Sequence, residues 1–195
     1  TNPLHTTTYK QNGSYTSSKI VDGILYTVTG YCDYRTKPLD KESDLDSYVP
    51  AYYIDGEKHY VAAGDITVPA NANSTDYTVV SAIDFKSGVK DVTVKAVLGN
   101  SKNVYCSADT LYIVGVGKSR SESDYSIITS FDLSNPSGIT YKASGSVAGK
   151  VLNQYSMNEY GGLFRIAASV SDNGSKSVSV YVLDSSLTAV NSAGQ

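Results

Sequence analysis

The chain has 17 Tyr and two His, His5 and His59. Phenol and imidazole rings that cluster on a surface recognise ligands, because each offers a flat apolar face and a polar tip at low entropic cost. Such a cluster exists here: Tyr31, Tyr34, Tyr52, Tyr53, His59 and Tyr60 all fall within residues 31–76. They are the candidate ligand-binding residues, on a long connection of the kind that carries function in compact repeats. A structural reading of the same residues carries more weight. Ala51–Ile54 and Lys58–Ala62 read as a hairpin across Asp55-Gly56, with its tyrosines packed on a sheet below.

Catalysis by a nucleophile requires a neighbouring base. His5 lies in an N-terminal strand, His59 lies in the hairpin, and no serine sits in a nucleophile elbow. Cys32 and Cys106 are isolated and have no zinc-ligand spacing. Asp40, Glu42, Asp44 and Asp46 alternate as calcium ligands do, yet the sixth position is Leu45 where the turn needs glycine. The twelfth is Ala51 where a bidentate Glu is needed, so the run reads as a solvated acidic loop, partly offset by Lys41. Gly145-Ser146-Val147-Ala148-Gly149-Lys150 falls short of phosphate-loop spacing and reads as an ordinary loop. The sequence therefore predicts no catalytic residue, no metal site and no cofactor. Asn12-Gly13-Ser14, Asn73-Ser74-Thr75 and Asn173-Gly174-Ser175 fit the glycosylation pattern and are read as exposed turns.

What positions these residues is sheet. Ser, Thr, Val and Tyr abound, apolar residues alternate with a period of two, and no stretch keeps helical spacing for three turns. A formal charge of -3 gives no bulk attraction for nucleic acid, and no apolar run is long enough to span a bilayer as a helix. Two-strand units recur at residues 17–28, 103–114 and 154–167, turning at Asp22-Gly23, Asp109-Thr110 and Gly161-Gly162. The Asp-Gly and Gly-Gly pairs supply the positive φ that tight hairpins need, while Asp109-Thr110 does so less comfortably. Third strands end in Asp84, Asp132 and Asp184, which recur at about 50 residues, a blade-sized period. These aspartates are expected to tie down turns. Fourth strands follow at 92–97, 139–144 and 187–191, and Leu25, Leu111 and Leu163 are read as equivalent.

The expected fold is all-β: three four-stranded antiparallel β-propeller blades forming a partial ring in a single domain. Residues 1–10 read as the last strand of a preceding blade, 11–98 as the first blade with insertion 31–76, 99–148 as the second and 149–195 as the third. Three blades do not comfortably close a ring, so its faces need either further blades of the same protein or a second copy meeting it head to tail.

The runs at 13–18 and 48–50, and above all Val151-Leu152-Asn153-Gln154-Tyr155-Ser156-Met157-Asn158-Glu159-Tyr160 with Leu163-Phe164-Arg165-Ile166-Ala167, resemble a secreted bacterial and archaeal β-propeller family distantly related to WD repeats. The resemblance implies a secreted or envelope location and a ring larger than this segment. It implies no activity. The expectation is a non-catalytic scaffold that binds a protein or glycan through one face; the alternatives are part of a propeller enzyme completed elsewhere, or a structural module.

Overall fold

The computed structural model describes residues 7–32, 45–70, 72, 74–84, 92–99, 101–118, 124–135, 138–172 and 174–190. Its strands, in chain order, are β1 (Tyr9–Gln11), β2 (Ser14–Val21), β3 (Ile24–Tyr31), β4 (Ala51–Ile54), β5 (Glu57–Tyr60), β6 (Ile66–Thr67), β7 (Tyr77–Asp84) and β8 (Val92–Leu98). Then follow β9 (Ser101–Cys106), β10 (Thr110–Lys118), β11 (Asp124–Asp132), β12 (Thr140–Ala148), β13 (Lys150–Val151), β14 (Met157–Tyr160), β15 (Leu163–Asp172) and β16 (Ser175–Leu183). Three single-turn 3-10 helices complete the described elements.

The chain groups into two compact units. One comprises Thr1–Val68, Ser74–Asn100 and Asn135–Ile139; the other comprises Pro69–Asn73, Ser101–Ser134 and Thr140–Gln195. In the first unit a five-stranded sheet runs β2-β3-β7-β8-β6, antiparallel except for the short parallel pair β6 and β8. A separate sheet runs β1-β4-β5. In the second unit one antiparallel sheet runs β9-β10-β11-β12 and another joins β13, β14 and β16 to β15. The meander of adjacent antiparallel strands follows from the hairpin turns that link them.

Turn chemistry sets those hairpins. Asp22 and Gly23 have φ of 51° and 87°, and Asp55 and Gly56 have 50° and 90°, the left-handed pair whose twist matches the flanking strands. The turn between β9 and β10 uses different chemistry. No residue from Ser107 to Thr110 has positive φ; instead the Ser107 hydroxyl accepts the amides of Asp109 at 3.4 Å and Thr110 at 3.1 Å.

Register corrects one sequence equivalence. Leu25 lies opposite Ile83 and Leu111 opposite Phe131, each next to the pair that contains the repeated aspartate, Ile24 with Asp84 and Thr110 with Asp132. In the third repeat Phe164 lies opposite Leu183, so Leu163 reaches the aspartate position and Phe164, not Leu163, corresponds to Leu25 and Leu111. A one-residue shift exchanges the two faces of a strand. The proper series are therefore Leu25, Leu111 and Phe164 on one face, and Tyr26, Tyr112 and Arg165 on the other.

Two further expectations change. Gly145–Ala148 is not a loop but the end of β12, and a side chain at Gly145 would meet the Leu187 carbonyl oxygen at 2.6 Å. Residues 187–190 form no strand; their pairing with β16 is the single bridge of Leu183 with Ala189. Leu187 is still buried, with φ of 60°, held by the hydrogen bond its backbone N–H donates to the Asp184 carbonyl.

The second unit is cored by one sheet face packed on another. Tyr112, Val114, Ile128, Ala143 and Val147 meet Met157, Phe164, Ile166, Ala168 and Leu183. Tyr112 and Phe164 stack with centroids 3.9 Å apart and planes at 8°. Each fully buried side chain of this size contributes about 1.5–3 kcal/mol through removal from water.

Candidate functional site

The inserted segment builds the candidate site in the first unit. β4 and β5 pair Tyr52 with His59 and Tyr53 with Lys58, while β1 places Gln11 beside Tyr52 and Lys10 beside Tyr53. Strand alternation then separates the aromatic residues onto two faces. The pairing of Tyr9–Gln11 with β4 had no signal in the sequence.

The inward face holds Tyr9, Tyr52 and His59. Tyr52 stacks on His59 with centroids 5.2 Å apart and lies 6.2 Å from Tyr9. Tyr9, Tyr31 and Tyr52 pack against Val61, Val79, Val94 and Ala96, and burial pushes the Tyr9 phenol up to about 12. This sheet therefore lies on the five-stranded sheet, covering the face that carries Val79, Val94 and Ala96.

Polar groups fasten the two sheets together. Gln11 Nε2 donates to Thr29 Oγ1 at 2.9 Å, Thr29 donates to the Asn12 carbonyl at 2.6 Å, and Asn12 Oδ1 accepts the Ala51 amide at 2.6 Å. The Asn12 amide in turn reaches the Ala51 carbonyl at 2.9 Å. Asn12, read from sequence as an exposed turn residue, is thus a bracket for β4. The Tyr9 hydroxyl donates to Gln11 Oε1 at 3.0 Å.

The outward face carries Lys10, Tyr53 and Lys58 in one row across the three strands, with Tyr60 next along β5. Lys10 and Lys58 are exposed and both tyrosines are half-buried. Asp46 accepts hydrogen bonds from Lys58 Nζ and the Tyr60 hydroxyl, and Lys58 lies 4.8 Å from the centre of the Tyr60 ring. The bond to Asp46 raises the Lys58 ammonium above the ordinary lysine range. The Asp46 carboxylate is thereby engaged with a cation and a phenol; Asp40, Glu42 and Asp44 lie outside the described residues, as do Tyr34 and His5.

The structure thus divides the sequence-predicted set. Tyr31 and Tyr52 pack against the core, His59 is stacked behind Tyr52, and Tyr53 and Tyr60 share the outward face with two lysines. That face can stack on a planar or sugar ring and donate hydrogen bonds. Sequence reading missed Lys10, Lys58 and Asp46 as members of it; the period-two spacing of Lys58 and Tyr60 across Asp55-Gly56 was the available signal. Among the described residues, no group of three His, Cys, Asp or Glu could hold a metal ion. Both cysteines are thiols, and Cys106 Sγ lies 3.3 Å from the Ser107 carbonyl oxygen.

These meanders have the period and turn pattern of propeller blades, and a family model described as beta propeller domain matches residues 1–194. The chain belongs to the beta propeller domain family. No curated protein matches this propeller domain. Among solved structures it is similar to a novel alpha-L-arabinofuranosidase from Clostridium thermocellum, at 13% identity and a TM-score of 0.25, over 88% of this chain and 68% of that one. Among the described residues of the propeller domain, no helix is long and apolar enough to cross a membrane.

Proposed function

We propose that this propeller domain is a non-catalytic scaffold, secreted or held at the cell envelope, that binds a protein or glycan through the outward face of its inserted sheet. Its three blade repeats, over residues 11–98, 99–148 and 149–195, serve as blades of a partial ring. The observation that carries the reading is the row of Lys10, Tyr53 and Lys58 beside Tyr60, rigidly backed by a sheet whose other side is anchored in the core. Rigid aromatic residues flanked by cations suit recognition, since little side-chain entropy is lost on binding. The envelope location follows the family resemblance.

The test is binding of the chain to arrays of purified polysaccharides and envelope proteins, beside Tyr53→Ala/Tyr60→Ala. Loss of binding by tenfold or more, with an unchanged melting temperature, is the expected result. Equal binding by a folded double variant removes this face from the site. Protease treatment of intact source cells checks location, with cleavage of the domain expected.

A further inference from the structure

The outward face of the inserted sheet is one-sided in the hydrogen bonds it can exchange with a ligand. Lys10, Tyr53 and Lys58 lie opposite one another across three strands, so the two lysine backbones stand about 10 Å apart with the phenol between them. Both lysines are exposed and Tyr53 is half-buried. An ammonium donates hydrogen bonds and accepts none. The carboxylate beside them is already engaged, since Asp46 accepts from Lys58 Nζ and from the Tyr60 hydroxyl. Among the described residues, Lys10 forms no ion pair.

The two tyrosines of this face differ in what they leave open. Lys58 Nζ stands over the Tyr60 ring, 4.8 Å from its centre, so Tyr60 and Asp46 together hold that ammonium in place and one face of the Tyr60 ring is taken. Among the described residues no cation lies over Tyr53, whose ring is therefore the one that can receive a flat ligand. Ala51, on the same side of β4, is buried, so Tyr53 stands between two cations and not in the packed apolar surroundings that anchor a protein side chain.

Neutral sugar hydroxyls donate as well as accept, and a row of donors whose neighbouring acceptor is occupied serves them poorly. Groups that only accept, as ionised carboxylates do, match it. A nucleic-acid strand asks for a longer basic groove with several stacking rings, and a chain of net charge -3 has no broad basic field. Resting on the binding reading proposed above, we infer that the ligand of this face is an acidic polysaccharide lying along the row of Lys10, Tyr53 and Lys58. One sugar ring stacks on Tyr53, and carboxylates of the neighbouring sugars pair with Lys10 and Lys58.

Calorimetric titration of the chain with alginate, polygalacturonate and hyaluronate, each beside its carboxyl-reduced form, provides the test. At least one of these polyuronates binds, and carboxyl reduction and Lys10→Gln each weaken that binding tenfold or more at an unchanged melting temperature. Lys176→Gln, which removes an exposed lysine of β16 in the other unit, leaves it as in wild type. Equal binding of the acidic and reduced forms, lost in Tyr53→Ala, overturns the inference while keeping the face as a site for neutral glycans. Binding of polyglutamate or single-stranded DNA as tightly as the polyuronate overturns it, as does a folded chain that binds none of the three.

Discussion

At the residue scale, Tyr9 shows how a phenol far from any chemistry can govern behaviour at high pH. Its folded value of about 12 stands above the ordinary 10.0 because burial disfavours the phenolate. A raised folded value means that the stability it contributes is present below about pH 10 and is lost as pH rises from about 10 to 12. Burial also raises Tyr112 and Tyr77, so ultraviolet titration should show one fewer late-ionising tyrosine in Tyr9→Phe than in wild type, and an unchanged number would contradict it. Two carboxylates act in the opposite sense. Asp132 accepts the Ser134 amide at 2.9 Å, and Asp184 accepts from the Ser186 hydroxyl at 2.6 Å and the Thr188 amide at 3.0 Å. Those bonds hold both below the ordinary carboxylate value, so the turns should loosen only as pH falls through that lowered range. Urea melts of Asp132→Asn and wild type should differ at pH 6 and draw together as pH falls below the ordinary carboxylate value of 3.8. The tie-down role was legible because the partners lie two to four residues away. The roles of Gln11 and Asn12 were not, because Asn12 bonds a residue 39 positions on and Gln11 one 68 positions on.

At the element scale, the hairpins were readable wherever the turn needed positive φ, since few residues tolerate it. Gly56, with φ of 90°, has open space where a Cβ would stand, with nothing within 4 Å, so its replacement tests backbone strain alone. Gly56→Ala should cost roughly 1–2 kcal/mol, measured by chemical denaturation; no loss would show that the turn changes type. The third repeat was misread by one position because Gly161-Gly162 is followed by Leu163-Phe164, two large apolar residues either of which fits a buried face. Only pairing with Leu183 decides between them. Phe164 is buried and stacked on Tyr112, whereas Leu163 is half-buried. Phe164→Ala should accordingly cost about 3–5 kcal/mol and Leu163→Ala much less. Equal losses would reinstate the leucine equivalence.

At the scale of the whole molecule, family and fold class were legible because a blade repeats its turn and strand pattern, and repetition survives in composition even where single positions vary. The candidate site was only half legible. Aromatic density marked the segment, but which tyrosines face outward depends on strand pairing with β1, and that pairing joins stretches distant in sequence. The covering of the Val79 face by β1-β4-β5 has a consequence for growth. Identical blocks with complementary ends stack without limit into fibres unless a rotation closes them. With the Val79 face already occupied by β1-β4-β5, a second copy cannot add there, so the insertion acts as a stopper on that face.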